Sequence, residues 1–200
     1  MLRTFIALFV FASRVAAQNN EQDILTAVQK ANGIYRTYQE FRTNSPSLTG
    51  KFKITRKKIS LLDNQSGTYE SIKEPVWGAC LNDTIYYFQD HHEIAQSPNF
   101  YKLKFIGRYC FYEYHSVLVK SIPGGGYVDI PRNFEFVVNV NNGKSYTLDK
   151  KMMRLILSKD TALLAEFENE SSKIETFEKY IRRFNERNPQ DIKPTTEIID

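Results

Sequence analysis

The sequence holds two cysteines, Cys80 and Cys110, in 200 residues, which excludes a disulfide-dense miniprotein. Charge of one sign is also lacking. The 27 Lys and Arg stand against 23 Asp and Glu, for a net charge of +4, which excludes a strongly basic nucleic-acid binder. Glycine and proline are sparse and aperiodic, so the chain is not collagen-like. With 42% hydrophobic and 14% aromatic residues, it is not a disordered chain either. No internal repeat, low-complexity stretch or divisive linker breaks it up. After residue 17 no apolar run approaches the about 20 residues that span a bilayer. These gaps leave one globular domain, large enough to bury roughly 70% of its unfolded surface without metal or many cross-links.

The N-terminus has the layout of a secretory leader. Met1-Leu2-Arg3 is basic, Thr4 to Ala12 is apolar, and Ser13-Arg14-Val15-Ala16-Ala17 ends in small residues. Cleavage is expected between Ala17 and Gln18, so residues 1–17 are a signal peptide. The cut removes Arg3 and Arg14 and takes the charge from +4 to +2. The mature chain is then expected to be soluble, with no membrane span and no pull toward phosphate backbones or anionic lipid. No cysteine follows the cut to carry a lipid.

Residues 18–32 are a polar N-terminal segment, with Ile24, Leu25 and Val28 supporting a short helix at best. A single α+β domain is expected over 33–188. Thr37-Tyr38-Gln39-Glu40 is a capping box for one or two helical turns, stopped by Asn44-Ser45-Pro46. The middle of the chain is β-rich. Residues 51–56 alternate. Val76–Leu81 and Thr84–Phe88 flank Asn82-Asp83 as a tight hairpin. Tyr101 to Lys120 is long and aromatic, with Gly107 marking a bulge or a bend. Gly124-Gly125-Gly126 lies in a loop. Phe134–Val140 and Lys144–Leu148 flank Asn141-Asn142-Gly143 as a second hairpin.

The expected sheet is an antiparallel meander of about six to eight strands, for which a barrel-like closure is one arrangement. Two or three C-terminal helices should follow. Asp149 caps the first and Ser158-Lys159-Asp160 begins the second. Ser172-Lys173-Ile174-Glu175 is a capping box before Phe177, Tyr180, Ile181 and Phe184, which share one helical face. Residues 189–200 read as a disordered tail.

Reactive groupings are thin. Cys80 and Cys110 lie in predicted strands of an exported chain. Either they are bridged, closing about 30 residues for about 3 kcal/mol, or they are buried thiols. Cys110 and His115 are an odd number apart, so one regular strand points them to opposite faces. Asp90-His91-His92-Glu93 offers zinc-type ligands, but adjacent histidines in an extended segment diverge, so His91 and His92 are weak metal candidates. Gly124-Gly125-Gly126 has no lysine after it and opens no helix, so it is not a phosphate cradle. Arg56-Lys57-Lys58 reads as solvated surface. No serine-hydrolase elbow occurs. No catalytic residue and no cofactor are assigned.

Gly33-Ile34-Tyr35-Arg36-Thr37-Tyr38-Gln39-Glu40-Phe41, with Asn44-Ser45-Pro46-Ser47, resembles the opening of a family of small exported proteins of unknown function found in Bacteroidota-type bacteria. Trp77-Gly78, the Tyr101–Tyr109 stretch and the Asp149–Asn188 end are similar to the same family. The resemblance implies export from a Gram-negative cell and supplies no activity, ligand or site. The expected function is therefore a non-enzymatic binding domain of the periplasm or cell surface, with an envelope protein or surface component as partner. An envelope hydrolase using distant carboxylates with His91, His92 or His115 is one alternative. A small-ligand carrier with a cavity under the aromatic sheet is another.

Overall fold

The computed structural model describes residues 22–89, 98–121, 124–170 and 177–189. The leader, Asp90–Glu93, the Ser172–Glu175 capping box and residues 190–200 lie outside them. Segment 22–27 is a turn around Asp23, with Ala27 N–H donating to the Asp23 carbonyl at 2.9 Å, and not the expected short helix. Ile24 and Ala27 plug the core while Val28 stands in solvent.

The chain has the expected α+β class, antiparallel strands followed by C-terminal helices; among the described residues the strands are divided over three open sheets, none closed into a barrel. One sheet orders β1 (Gly33–Tyr35), β5 (Gly78–Leu81), β6 (Thr84–Gln89) and β7 (Asn99–Lys102). A second orders β2 (Phe52–Ile54), β3 (Ile59–Leu62) and β4 (Tyr69–Ser71). The third orders β10 (Ser145–Thr147), β9 (Tyr127–Asn139) and β8 (Tyr109–Ser121). Helix α1 (Tyr38–Arg42) follows β1, and α2 (Lys150–Leu157), α3 (Thr161–Asn169) and α4 (Phe177–Arg187) end the chain.

The sheets multiply because strands carry apolar side chains on both faces, and each face needs its own cover. In β1, β5, β6 and β7 the side chains Tyr35, Cys80, Ile85, Tyr87 and Tyr101 enter one cluster with Cys110, Tyr112, Phe136 and Val138 of β8 and β9. Their neighbours Ile34, Ala79, Tyr86, Phe88 and Phe100 turn the other way, onto Phe52, Ile59 and Leu61. Likewise Tyr109, Phe111 and Val137 leave the back of β8–β9 to meet Met153, Ile156, Leu163, Phe167, Tyr180, Ile181 and Phe184 of the helices. The result is four layers: small sheet, four-stranded sheet, β8–β9–β10, helices.

The local signals act as their chemistry requires. Thr37 Oγ1 accepts from Glu40 N–H at 3.2 Å to start α1, while Glu40 accepts from Arg36 N–H at 2.7 Å. Asp149 and Asp160 accept from Met152 and Leu163 N–H, at 2.7 and 3.0 Å, to start α2 and α3. Asn82 and Asp83 both take positive φ, the requirement of a two-residue hairpin. Gly107 breaks the 99–121 stretch into β7 and β8. A Cβ there would sit 2.4 Å from Asn185 Nδ2. Asn185 uses that room to mimic a strand: its Oδ1 accepts from Tyr109 N–H at 3.0 Å and its Nδ2 donates to the Tyr109 carbonyl at 2.9 Å. The helical layer is thereby bonded to the first residue of β8.

Candidate functional site

Strands β8 and β9 form a hairpin of 13 residues a side, from Tyr109↔Asn139 to Ser121↔Tyr127. Only its inner half is packed. Cys110, Phe111, Tyr112, Phe136, Val137 and Val138 are almost fully buried. Beyond Tyr114↔Phe134 the layers end and, among the described residues, the ribbon continues alone. There Val117 is 55% exposed, Val119 63%, Tyr127 78% and Val128 43%. Val117, Val119, Pro131 and Tyr127 lie on the helix-side face, and Val128, Ile130, Ser116, Arg132 and Lys120 on the opposite face, by the alternation of the register. A two-stranded ribbon with neither face covered is marginal in water. This arm is thus held by its buried root.

The direction of the arm's backbone groups follows from that root. Phe111 N–H donates to the Phe105 carbonyl and the Phe111 carbonyl accepts from Lys104 N–H, so Phe111 turns its peptide groups away from β9. With an unbroken register, His115, Val117, Val119 and Ser121 do the same. On β9 the outward set includes Glu135, whose carbonyl accepts from Leu148 N–H at 2.8 Å, and Pro131, opposite Val117. Pro131 therefore places its missing N–H on the outer edge of β9, where it interrupts the donor row. The edge of β8 carries no such block.

At the root of the arm is a cleft of about 550 Å3 lined by Arg56, Tyr114 to Val117 and Pro131 to Asn133. The Arg56 guanidinium stands 5.9 Å from the Tyr114 ring centre. No ion pair among the described residues engages Arg56 or Arg132.

A second grouping lies on the helix side of the same hairpin. Glu113 and Glu135 face each other across β8 and β9. Lys104 Nζ donates to Glu113 at 2.5 Å and to Glu178 of α4 at 3.0 Å. His115 Nε2 is 3.6 Å from Glu113. Glu135 receives neither of these two bonds from the lysine. Burial, then the neighbouring Glu113 and Glu178 charges, push its carboxyl up to about 7, against the opposing pull of Lys104. For Glu178 burial also works upward, but hydrogen bonds from Arg182 and Lys104 outweigh it and hold the carboxyl below its usual range. Glu135 borders a cavity of about 230 Å3 with Asn133, Thr147, Leu148 and Phe177. Among the described residues no three His, Cys, Asp or Glu groups are placed to hold a metal ion.

The other candidates are dispersed. His91 and His92 lie outside the described residues. Cys80 and Cys110 are free, buried thiols and not the bridged pair that was one of two expectations. They are not strand neighbours: Cys80 is paired with Gly33 and Ile85, and Cys110 with Val138. Cys80 Sγ points to Asn32 Oδ1 at 3.9 Å and Cys110 Sγ to the Gly107 carbonyl at 3.6 Å. Burial raises the Cys80 thiol to about 11 and the Cys110 thiol to about 12, so both stay protonated and poorly nucleophilic at neutral pH. Cys110 points between the sheets and His115 out of the other face. The space between those sheets is filled by rings: Phe41 on Trp77 at 4.0 Å, Trp77 to Tyr87 at 5.1 Å, Tyr112 on Phe136 at 5.0 Å.

Sequence reasoning missed the outer half of β9 with Arg132, because it begins the strand at Phe134 after the glycine loop, and missed Glu135 because its partners Glu113 and Glu178 are distant in sequence. The available signal was symmetry. Val117–Lys120 and Tyr127–Ile130 are both β-prone runs flanking one glycine-rich turn.

The described residues thus form a layered α+β domain with an exposed ribbon arm and a cleft at its root that holds Arg56 and Arg132. The chain belongs to a family of unknown function (DUF6563), which it matches over residues 33–188. No curated protein and no solved structure matches it.

Proposed function

We propose that this chain is a non-catalytic binding domain that engages a protein or surface component through the β8–β9 arm. Export to the periplasm or cell surface of a Bacteroidota-type cell is part of the proposal. It is supported by the basic, apolar and small-residue order of residues 1–17. The observation that carries the reading is the outer half of the hairpin, which exposes Val117, Val119, Tyr127 and Val128 while the root is packed on both faces. Apolar side chains held out on a ribbon anchored at its root, with a usable strand edge, are the parts of a recognition surface.

The test is to shorten the arm. Ser116 and Arg132 are a cross-strand pair bonded toward each other, so an Asn-Gly turn can replace residues 117–131 without disturbing the root. The full-length and shortened chains, expressed in a Bacteroidota-type host, should unfold within a few degrees of each other. The full-length chain should retain an envelope partner that the shortened chain loses. Equal retention by both would overturn the reading.

A second reading, an envelope hydrolase, draws on Glu135. A carboxyl titrating near 7 beside a cavity and a second carboxylate is suited to acid–base work. Turnover of a hydrolase substrate panel that is abolished by Glu135→Gln and unaffected by shortening the arm would favour it over the binding domain.

A further inference from the structure

We propose that the cleft at the root of the arm takes an extended acidic peptide, which adds as a strand to the free edge of β8 and sets its carboxylates against Arg56 and Arg132. This names the partner chemistry of the binding domain proposed above and rests on that reading.

Three observations point the same way. The β8 edge turns the N–H and carbonyl groups of His115, Val117, Val119 and Ser121 outward, in the alternating pattern that an added strand needs. Main-chain bonding of this kind gives affinity, and side-chain pockets beside the edge give specificity. The rival edge, on β9, lacks the donor of Pro131, so an added strand is directed to β8. The cleft holds the two arginines and is a wide, open depression of about 550 Å3, the shape a strand laid along an edge requires.

Charge selects the partner. Arg132 and Lys120 share the face of the arm opposite the helices, and Arg56 lines the cleft beside Tyr114 of that same face. The arm's one acidic side chain beyond Glu113 and Glu135, Asp129, lies on the other face, across from Val119. Arg132 sits directly across from Ser116, whose small side chain leaves the guanidinium space over β8. Tyr114 supplies an aromatic floor already approached by Arg56. A basic or neutral strand would find the same backbone edge but no counter-charge. A free oxyanion would find the arginines but leave the edge unused.

The test uses the full chain and a dye-labelled octapeptide of alternating glutamate and valine, followed by fluorescence anisotropy. Its glutamine–valine and lysine–valine counterparts, a form N-methylated at alternate amides, and inorganic phosphate as competitor complete the set. Saturable binding of the acidic peptide is expected, at least tenfold tighter than the glutamine form. Arg56→Gln and Arg132→Gln, both at exposed positions, should each weaken it by about fivefold, the scale of one exposed charge pair. N-methylation should weaken it at least tenfold. Equal binding of the glutamine or lysine peptide overturns the charge assignment. Undiminished binding of the N-methylated peptide, or full displacement by millimolar phosphate, overturns the strand assignment. If the acidic peptide fails while the shortened arm still loses its envelope partner, this inference falls and the binding reading stands. If the partner is retained as well, both fall.

Discussion

Glu135 offers the sharpest test of the electrostatics of the hairpin. Its carboxyl is raised from about 4.5 to about 7 by burial and by Glu113 and Glu178. The folded protein therefore holds a proton there that the unfolded chain releases between those values. Stability linked to this group is fully present below about pH 4.5 and is lost as pH rises through 7. At full strength a shift of this size is worth about 3 kcal/mol. Glu135 is only half-buried, so solvent screening leaves about 1–2 kcal/mol.

Glu135→Gln removes the charge and keeps the shape. The Glu135 backbone carbonyl still accepts from Leu148 N–H, so the β9 edge is unaffected. The variant should be more stable than the parent by about 1–2 kcal/mol at pH 8 and equal to it near pH 5. Urea unfolding at pH 5, 6, 7 and 8 reads this as a shift in midpoint at constant slope. Glu178, whose carboxyl is lowered, contributes stability of the opposite pH dependence, but that background is common to both proteins and cancels in the difference. A gain independent of pH, or a loss at pH 8, would show that Glu135 is not ionised against its neighbours and would refute the argument.

Asn185→Ala removes both bonds to the Tyr109 backbone and should cost about 1–3 kcal/mol, with lost hydrogen-exchange protection at the Tyr109 amide. Gly107→Ala drives a methyl into the Asn185 amide; because both changes break one contact, the double variant should cost clearly less than the two single losses together. Asp149→Ala and Asp160→Ala each remove a helix cap and should each cost about 1 kcal/mol, read as a drop of about 2–4 °C in Tm. Cys80 and Cys110 should resist a thiol reagent at pH 8 in the native protein and both react in denaturant, since burial keeps the thiols protonated.

The elements that could be read from the residues were those whose signal is local. The Thr37 cap, the Asn82-Asp83 turn, the Asp149 and Asp160 caps and the Phe177–Phe184 face each depend on residues within one or two turns of each other. The layering was not local. Alternation along β6 shows that Tyr86 and Tyr87 point to opposite faces, but both are aromatic, and no pattern says which face meets which sheet. Nor did composition show that β2, β3 and β4 form a separate small sheet, because Ser60, Glu70 and Ser71 give β3–β4 a mixed, half-exposed pattern. The close approach of Gly107 to Asn185 joins positions far apart in sequence and needs the fold to become visible.

Half of the arm, the outer part of β9, was hidden for a different reason. Periodicity reports a strand when one face is buried and the other wet, and beyond Phe134 neither face is buried. Its two sides carry Val119 and Asp129 on one face and Val128 and Lys120 on the other, so apolar and charged residues occur on both. Pro131, which ordinarily argues against a strand, is tolerated because its position opposite Val117 turns the absent N–H to the outer edge. The same proline that obscures β9 in the sequence closes one edge of the ribbon to pairing. Among the described residues the ribbon is thus left with one uninterrupted edge, on β8, beside the two arginines of the cleft. Valine and tyrosine suit an extended strand, but a stalk exposed on both sides leaves these four apolar side chains 43–78% exposed. That exposure supports the proposed contact with a partner, so the arm and not the half-buried carboxylates carries the proposal.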